Sequence, residues 1–172
     1  MKTGFTHEST HNESQEWYTP PEIFTALGLT FDLDPCAAPP PFKDFVPAIN
    51  RLTYEHNGLI QRWHGLIFMN PPYGTETPKW MKRFVEHGNG IALVFSRTDT
   101  QWFHHVVPHA LCCFIKGRIR FRKPDGTIGG TPGAGSLLLA IGKRSEDALQ
   151  HSGLGICMKV IKSSLPHIST PQ

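Results

Sequence analysis

Apolar residues form short runs along the chain, separated by polar and proline-rich stretches, and this spacing predicts alternating helices and strands. Residues 19–22 read Thr-Pro-Pro-Glu, which combines the capping-box spacing with a proline at the first helical position. The apolar positions that follow share one helical face: Ile23, Phe24 and Leu27. We expect this helix to end at Gly28, and residues 29–33 to alternate as a strand that stops at Asp34.

Two later segments, 66–69 and 91–95, are apolar throughout, as is typical of strands buried on both faces. Between them a helix is predicted to begin at Thr77, with Pro78 in its first turn. A shorter strand is expected at 52–54. This order of strand, loop, helix and strand predicts an α/β fold with a mostly parallel central sheet.

The last part of the chain has a different pattern. Three segments there have strand character: 110–115, 118–122 and 136–141. A turn at 124–126 and a cluster of strands with no long helical pattern between them favour a late antiparallel strand pair at the end of the sheet. We therefore expect one domain over 17–162, with a flexible polar leader at 1–16 and a similar tail at 163–172.

Composition narrows the class of protein. With 172 residues, of which 39% are hydrophobic and 18% charged, the chain is typical of a single globular domain. The net charge of +3 is compatible with a nucleic-acid partner without demonstrating one. The four cysteines form no C-x-x-C pair, and the ten histidines lack metal-ligand spacing, so we expect neither a disulfide framework nor a metal site. No apolar run reaches membrane-spanning length, and a cytoplasmic setting is the default.

The strongest chemical signal is Asn70-Pro71-Pro72-Tyr73, which directly follows a predicted buried strand. An amino group on an aromatic ring is a poor nucleophile because its lone pair is delocalised into the ring. Acceptors such as the Asn70 side-chain oxygen and the Pro71 carbonyl would favour a more tetrahedral nitrogen, and the prolines would hold both acceptors in place. Tyr73 offers a flat face on which a base can stack. The alternative is a simple strand-to-helix turn.

This tetrapeptide resembles motif IV of amino-methyltransferases, written [DNS]-P-P-[YFW]. The order of segments over residues 17–141 is similar to that of the phage DNA N-6-adenine methyltransferase (Dam-like) family. The resembling segments are Trp17 to Phe24, Asp32 to Ala37, Asn57 to Leu59 with Trp63, Asn70 to Tyr73, Trp102-Phe103 and Gly117 to Phe121.

The resemblance implies a Rossmann-like methyltransferase fold that uses S-adenosylmethionine to methylate the exocyclic N-6 amino group of adenine in double-stranded DNA. The base would flip out of the helix, no metal would be required, and the source would be a phage or prophage in a bacterial cell. No large insertion supplies a recognition domain, so we expect a relaxed or very short recognition sequence. Two alternatives stay open: a methyltransferase of RNA or of a protein glutamine amide, and a DNA-binding protein of this fold that has lost activity.

The resemblance also places cofactor contacts before the first strand. A Thr-Pro segment in such enzymes contacts the cofactor, which makes Tyr18, Thr19 and Pro20 candidates. The N–H groups and positive dipole of a helix N-terminus suit the carboxylate of the methionine moiety. An ordinary surface helix can begin with the same residues.

Further cofactor candidates follow the next strands. Asp34 and Cys36 lie in the loop after the first strand, where open α/β sheets bind ligands, although this loop lacks the glycines usual in methyltransferases. Glu55 is a candidate for the ribose hydroxyls and Asn57 for the adenine ring. A local turn cap at Asp34 and a solvated turn at 55–57 are equally compatible with the sequence.

Arginines are the candidates for DNA contact. Arg118, Arg120 and Arg122 alternate with apolar residues, so on a strand they would share one face, about 6–7 Å apart, a spacing that suits successive phosphates. Arg97 follows another strand and is added to this set. A charged edge strand that prevents aggregation has the same pattern.

Overall fold

The computed structural model describes residues 18–42, 44–130 and 132–161. The expected leader at 1–16 and tail at 163–172 lie outside these ranges. The described helices are α1 (Pro21–Leu27), α2 (Thr77–His87), α3 (Gln101–Val106) and α4 (Lys143–His151), with short 3-10 turns at Tyr54–His56 and Val107–His109. The strands are β1 (Phe31–Asp34), β2 (Ala48–Arg51), β3 (Ile67–Met69), β4 (Gly90–Phe95), β5 (Leu111–Ile115), β6 (Ser136–Ile141) and β7 (Gly155–Lys159).

The strands form one mixed sheet of seven, in the order β2-β1-β3-β4-β6-β5-β7. Strands β1 to β4 are parallel, whereas β6 is antiparallel to both of its neighbours, β4 and β5, and β7 is antiparallel to β5. The predicted α/β class and the late antiparallel pair are confirmed. The sheet was predicted to be mostly parallel, and it is mixed, with parallel pairing over β1 to β4 and antiparallel pairing from β4 to β7. Because Phe95 at the end of β4 pairs with Ser136 at the start of β6, the loop before β6 lies at the carboxyl edge of the parallel strands.

Both faces of the sheet are covered, so its central strands are buried throughout. Ile67, Phe68 and Met69 of β3 are fully buried, and their side chains alternate between two apolar layers. One layer contains α1 and Leu149 of α4, and the other contains α2 and α3. The rigid sheet between these layers fixes the positions of the loops at its carboxyl edge. Among the described residues, no helix is both long and apolar enough to span a bilayer.

The predicted capping box at the start of α1 is wrong, although the buried face and the end at Gly28 are as predicted. Pro20 occupies the N-cap and no side chain caps the helix. Glu22 pairs instead with Arg122 at 2.7 Å, because the backbone of Tyr18 bridges that of Arg122 and brings the two side chains together. The Thr19 hydroxyl oxygen is buried and has no hydrogen-bond partner among the described residues.

Two strand predictions also need correction. The second strand runs over Ala48–Arg51, and the predicted 52–54 segment is a loop that enters a 3-10 turn. Residues 118–122 are irregular, with isolated bridges at Arg122 only. Ile119 and Phe121 are nevertheless buried, as alternate residues of a strand would be. Their side chains pack in the apolar layer that contains α1, although their backbone is not part of the sheet. The sequence analysis did not predict α4 or β7, whose patterns are mostly polar or exposed.

Candidate active site

A cleft with a volume of about 390 Å³ opens at the carboxyl edge of β1 and β3. Its walls come from the loops after β1, β2 and β3, from the start of α2, and from Tyr18, which precedes α1. Of the predicted site residues, seven line it: Tyr18, Cys36, Asn57, Asn70, Pro71, Pro72 and Tyr73. The topology of the parallel strands therefore brings the Asn-Pro-Pro-Tyr segment together with three of the predicted cofactor residues.

The Asn70–Tyr73 segment is tied internally and to the start of α2. The Tyr73 hydroxyl donates a hydrogen bond to the Asn70 side-chain oxygen at 3.0 Å. The buried Thr77 hydroxyl donates to the Pro72 carbonyl at 3.0 Å and accepts from the Gly74 N–H at 3.1 Å. These bonds, with two prolines that restrict the backbone, fix the loop that carries the amide oxygen and the phenol ring.

The Tyr73 ring stacks on Phe95, with ring centroids 4.2 Å apart and planes 21° from parallel. Phe95 in turn meets the edge of the buried Phe121 at 6.2 Å. Tyr73 keeps 37% of its surface exposed. Desolvation raises the pKa of Tyr73 well above its ordinary value, and the nearby Cys36 adds to the rise, so the hydroxyl stays protonated and able to donate.

Asp34 does not line the cleft but shapes the loop that does. It is buried, and its side-chain Oδ1 atom accepts the Cys36 N–H at 2.8 Å. Burial raises the pKa of Asp34 to about 8, with a further rise from the charge of Asp44 and partial compensation from the Cys36 N–H and Arg51. Burial also raises the pKa of the Cys36 thiol well above its ordinary value, so this cysteine presents a neutral S–H to the cleft.

The remaining cofactor candidates fall outside the cleft lining. Thr19 and Pro20 directly follow Tyr18, which lines the cleft, and both are buried. Glu55 is exposed in the 3-10 turn at Tyr54–His56. Asn57 lines the cleft from a left-handed conformation, with φ of 50°, that ends this turn. The residue after it, Gly58, is buried against the loop that follows β1.

The predicted DNA-contact arginines separate into two groups. Arg118 lies beside Gly135, whose carbonyl accepts the Ser96 N–H at 2.9 Å, so its guanidinium is next to the β4 end that carries Arg97. Arg97 and Arg120 are exposed. Arg122 differs, because its side chain is only 20% exposed and is paired with Glu22.

Sequence analysis assigned no role in the site to several residues that build it, three of which have the most specific positions. Gly58 and Trp80 line the cleft, and Thr77 ties down the Asn70–Tyr73 loop. Sequence analysis predicted Thr77 only as the first residue of α2. Thr77 is the first residue of α2 and Trp80 the fourth, and their place in a helix that closely follows Tyr73 is the only sequence signal for such a role.

The comparison with known families decides the relationship of this chain. The family model for DNA N-6-adenine-methyltransferase (Dam) matches residues 7–147. The chain belongs to this family. No curated protein and no solved structure matches it.

The geometry of this Dam-family chain fits a bound S-adenosylmethionine. The cleft volume of about 390 Å³ lies within the range of small-molecule sites, roughly 300–1,000 Å³. Apolar walls alternate with a few polar groups, among them Asn57 and Asn70. A Cβ atom on Gly58 would overlap the Pro35 carbonyl oxygen, so only glycine allows this close approach of two walls. Among residues 18–42, 44–130 and 132–161, no group of His, Cys, Asp or Glu could hold a metal ion.

Proposed function

We propose that this Dam-family chain transfers the methyl group of S-adenosylmethionine to the exocyclic N-6 amino group of adenine in double-stranded DNA, on a Rossmann-like methyltransferase fold. One observation carries the proposal. The Asn70–Tyr73 segment lies at the carboxyl end of β3, in the lining of a cleft large enough for the cofactor. This is the edge of a parallel sheet at which α/β proteins bind ligands.

The chemistry requires acceptors for both hydrogens of the adenine amino group. The Asn70 side-chain oxygen and the Pro71 carbonyl supply them in the proposed mechanism, which draws the nitrogen lone pair out of conjugation with the ring. Their positions are set before the base arrives by the bonds from Tyr73 and Thr77, so little reorganisation is needed. Tyr73 stacks on the flipped base with the part of its ring that Phe95 leaves uncovered.

The cofactor supplies an electrophilic methyl group on a sulfonium when it is bound. Tyr18, Cys36, Asn57 and the Gly58–Leu59 wall hold it in the proposed arrangement, since all of them line the cleft. Thr19, Pro20 and Glu55 remain proposed contacts of the cofactor, with Thr19 contributing a buried hydroxyl that has no partner among the described residues. Asp34 acts on the cofactor through the Cys36 loop.

DNA is held by its phosphates in this proposal. Arg97, Arg118 and Arg120 extend from the same edge of the sheet as the cleft, or from the loop after β5, and can neutralise phosphates without reading bases. The net charge of +3 adds a weak general attraction.

The deciding experiment measures labelled methyl transfer from S-adenosylmethionine to unmethylated duplex DNA, followed by digestion to nucleosides. We expect label on N-6-methyladenine with the wild type and a near-complete loss with Asn70→Ala. Asn89→Ala is the matched control, because Asn89 precedes β4 at the opposite edge of the sheet. Label that appears only on RNA, or only on a glutamine-containing protein, would identify that molecule as the substrate in place of DNA. Cofactor binding without transfer to any substrate would identify a protein that has lost activity.

A further inference from the structure

One wall of the cleft is backed by a stack of side chains from α2 and the segment before β3. Trp63 and Trp80 are both 7% exposed, and their rings stack with centroids 6.1 Å apart and planes 23° from parallel. The Arg83 guanidinium carbon lies 5.0 Å from the centroid of the Trp63 ring, which is the geometry of a cation–π contact. Trp80 is the member of the stack that lines the cleft.

The same stack binds the backbone of the segment that follows Asn57. Arg83 donates one hydrogen bond to the Leu59 carbonyl at 2.7 Å and another to the Gln61 carbonyl. The Trp63 indole N–H donates to the Gly58 carbonyl at 2.8 Å. Three carbonyl groups of a loop without regular structure are therefore held by two side chains.

Close packing transmits the position of this stack to the cleft. A Cβ atom on Gly58 would lie 2.9 Å from the Trp80 ring, and it would overlap the Pro35 carbonyl on the other side. Gly58 is thus packed tightly between Trp80 and the loop after β1, and neither side has room for an added side-chain atom. Gly58 and Leu59 both line the cleft, so a shift of the stack moves the cleft wall.

We propose that Arg83 is a positioning residue that holds the Gly58–Leu59 wall in the shape that binds S-adenosylmethionine. This inference rests on the proposed function, because it assigns the cofactor to this cleft. The guanidinium suits the role because it has several N–H donors in a fixed planar fork, so it can donate to two carbonyl groups and still contact the Trp63 ring. A lysine at the same position keeps the charge, but its single ammonium group cannot donate to both carbonyl groups and also contact the Trp63 ring.

The test is titration calorimetry of S-adenosylmethionine into the wild type and Arg83→Lys. We expect Kd for S-adenosylmethionine to rise about tenfold or more in Arg83→Lys. This is the effect expected when one charged hydrogen bond that holds the cleft wall is lost. Lys82→Met is the matched control, because Lys82 is the neighbouring residue on α2, its side chain is exposed, and it forms an ion pair with Glu86 at 3.6 Å. Its Kd should equal that of the wild type.

Steady-state kinetics separate positioning from general structural support. At saturating cofactor, Arg83→Lys should keep kcat and KM for DNA near the wild-type values while KM for S-adenosylmethionine rises. All measurements are made well below the thermal midpoint of each variant. An unchanged Kd in folded Arg83→Lys would overturn the inference, as would a fall in kcat with KM for the cofactor unchanged. A wild type that binds no S-adenosylmethionine would overturn the proposed function and this inference together, whereas the other two outcomes leave the proposed function intact.

Discussion

The phenolic hydroxyl of Tyr73 donates a hydrogen bond to the side-chain oxygen of Asn70 at 3.0 Å. Both residues belong to the segment that we propose to bind the target adenine, so the bond links the stacking group to the amino-group acceptor. An amide oxygen has two lone pairs and can accept from the hydroxyl and from an adenine amino group at once.

This relationship predicts different effects for two substitutions of Tyr73. Tyr73→Phe removes one hydrogen bond and should lower kcat roughly two- to tenfold, because the Asn70 amide loses its orientation. Tyr73→Ala also removes the stacking surface, whose contribution to binding a base is about 1–3 kcal/mol, and should lower kcat/KM for DNA roughly tenfold to hundredfold. Methyl-transfer kinetics check both, with the wild type measured in parallel. Equal losses in the two Tyr73 variants would show that the ring has no role.

The stack of Tyr73 on Phe95 predicts a coupled pair. Phe95→Leu should lower kcat/KM for DNA several-fold, because an aromatic pair contributes about 0.5–1.5 kcal/mol beyond its buried area and sets the plane of the Tyr73 ring. If Phe95 acts through Tyr73, the same substitution should have little further effect in a Tyr73→Ala background. The double-mutant cycle measures this coupling. Additive losses would mean that Phe95 acts independently of Tyr73.

Thr77 offers a test of loop rigidity that leaves every residue of the Asn70–Tyr73 segment unchanged. Thr77→Val keeps the shape of the side chain but removes the donor to the Pro72 carbonyl and the acceptor of the Gly74 N–H. We expect a stability loss of about 1–3 kcal/mol for the groups left unpaired, and a lower kcat. Thr77→Ser retains the hydroxyl and should restore most of kcat. Thermal unfolding and transfer assays provide the comparison; a Ser variant as slow as the Val variant would contradict the role of the hydroxyl.

The sequence was informative where the local pattern and the fold agree. Continuous apolar runs predicted β3 and β4, and the residues that follow β3 were identified as the centre of the site. Thr19 was misinterpreted because a capping box depends on Glu22, and Glu22 is paired with Arg122, a hundred residues later in the chain. Such a distant partner leaves no local signal.

In residues 118–122 the local pattern predicted a strand that the structure does not contain. Ile119 and Phe121 are buried in the layer under the sheet, so side-chain burial alone produces the two-residue period. The contribution of Arg83 had no sequence signal, because it acts through carbonyl groups of Leu59 and Gln61 on another segment. A backbone contact does not depend on which side chains that segment carries.

Asp34 predicts a pH dependence of stability. Its pKa in the folded protein is about 8, above that of an exposed aspartate, so between about pH 4 and pH 8 the unfolded chain has lost this proton and the folded chain keeps it. Stability therefore falls as pH rises through this window. Asp34→Asn keeps an oxygen that can accept the Cys36 N–H and removes the proton. The difference in unfolding free energy between Asp34→Asn and wild type, measured by urea titration, should grow from pH 5 to pH 8; a constant difference would contradict the raised pKa.

The arginines predict two separate effects. Arg118 and Arg120 are exposed, so Arg118→Ala and Arg120→Ala should each weaken DNA binding and reduce the slope of log K against log salt by about 1, the loss of one phosphate contact. Arg122 is 20% exposed and paired with Glu22, so Arg122→Ala should instead lower stability by about 1 kcal/mol and leave the salt slope unchanged. Fluorescence anisotropy with a labelled duplex at several salt concentrations measures the slopes. Because all three substitutions remove the same charge, a difference between them reflects position and not net charge. A reduced slope in Arg122→Ala would mean that DNA displaces Glu22 from this arginine.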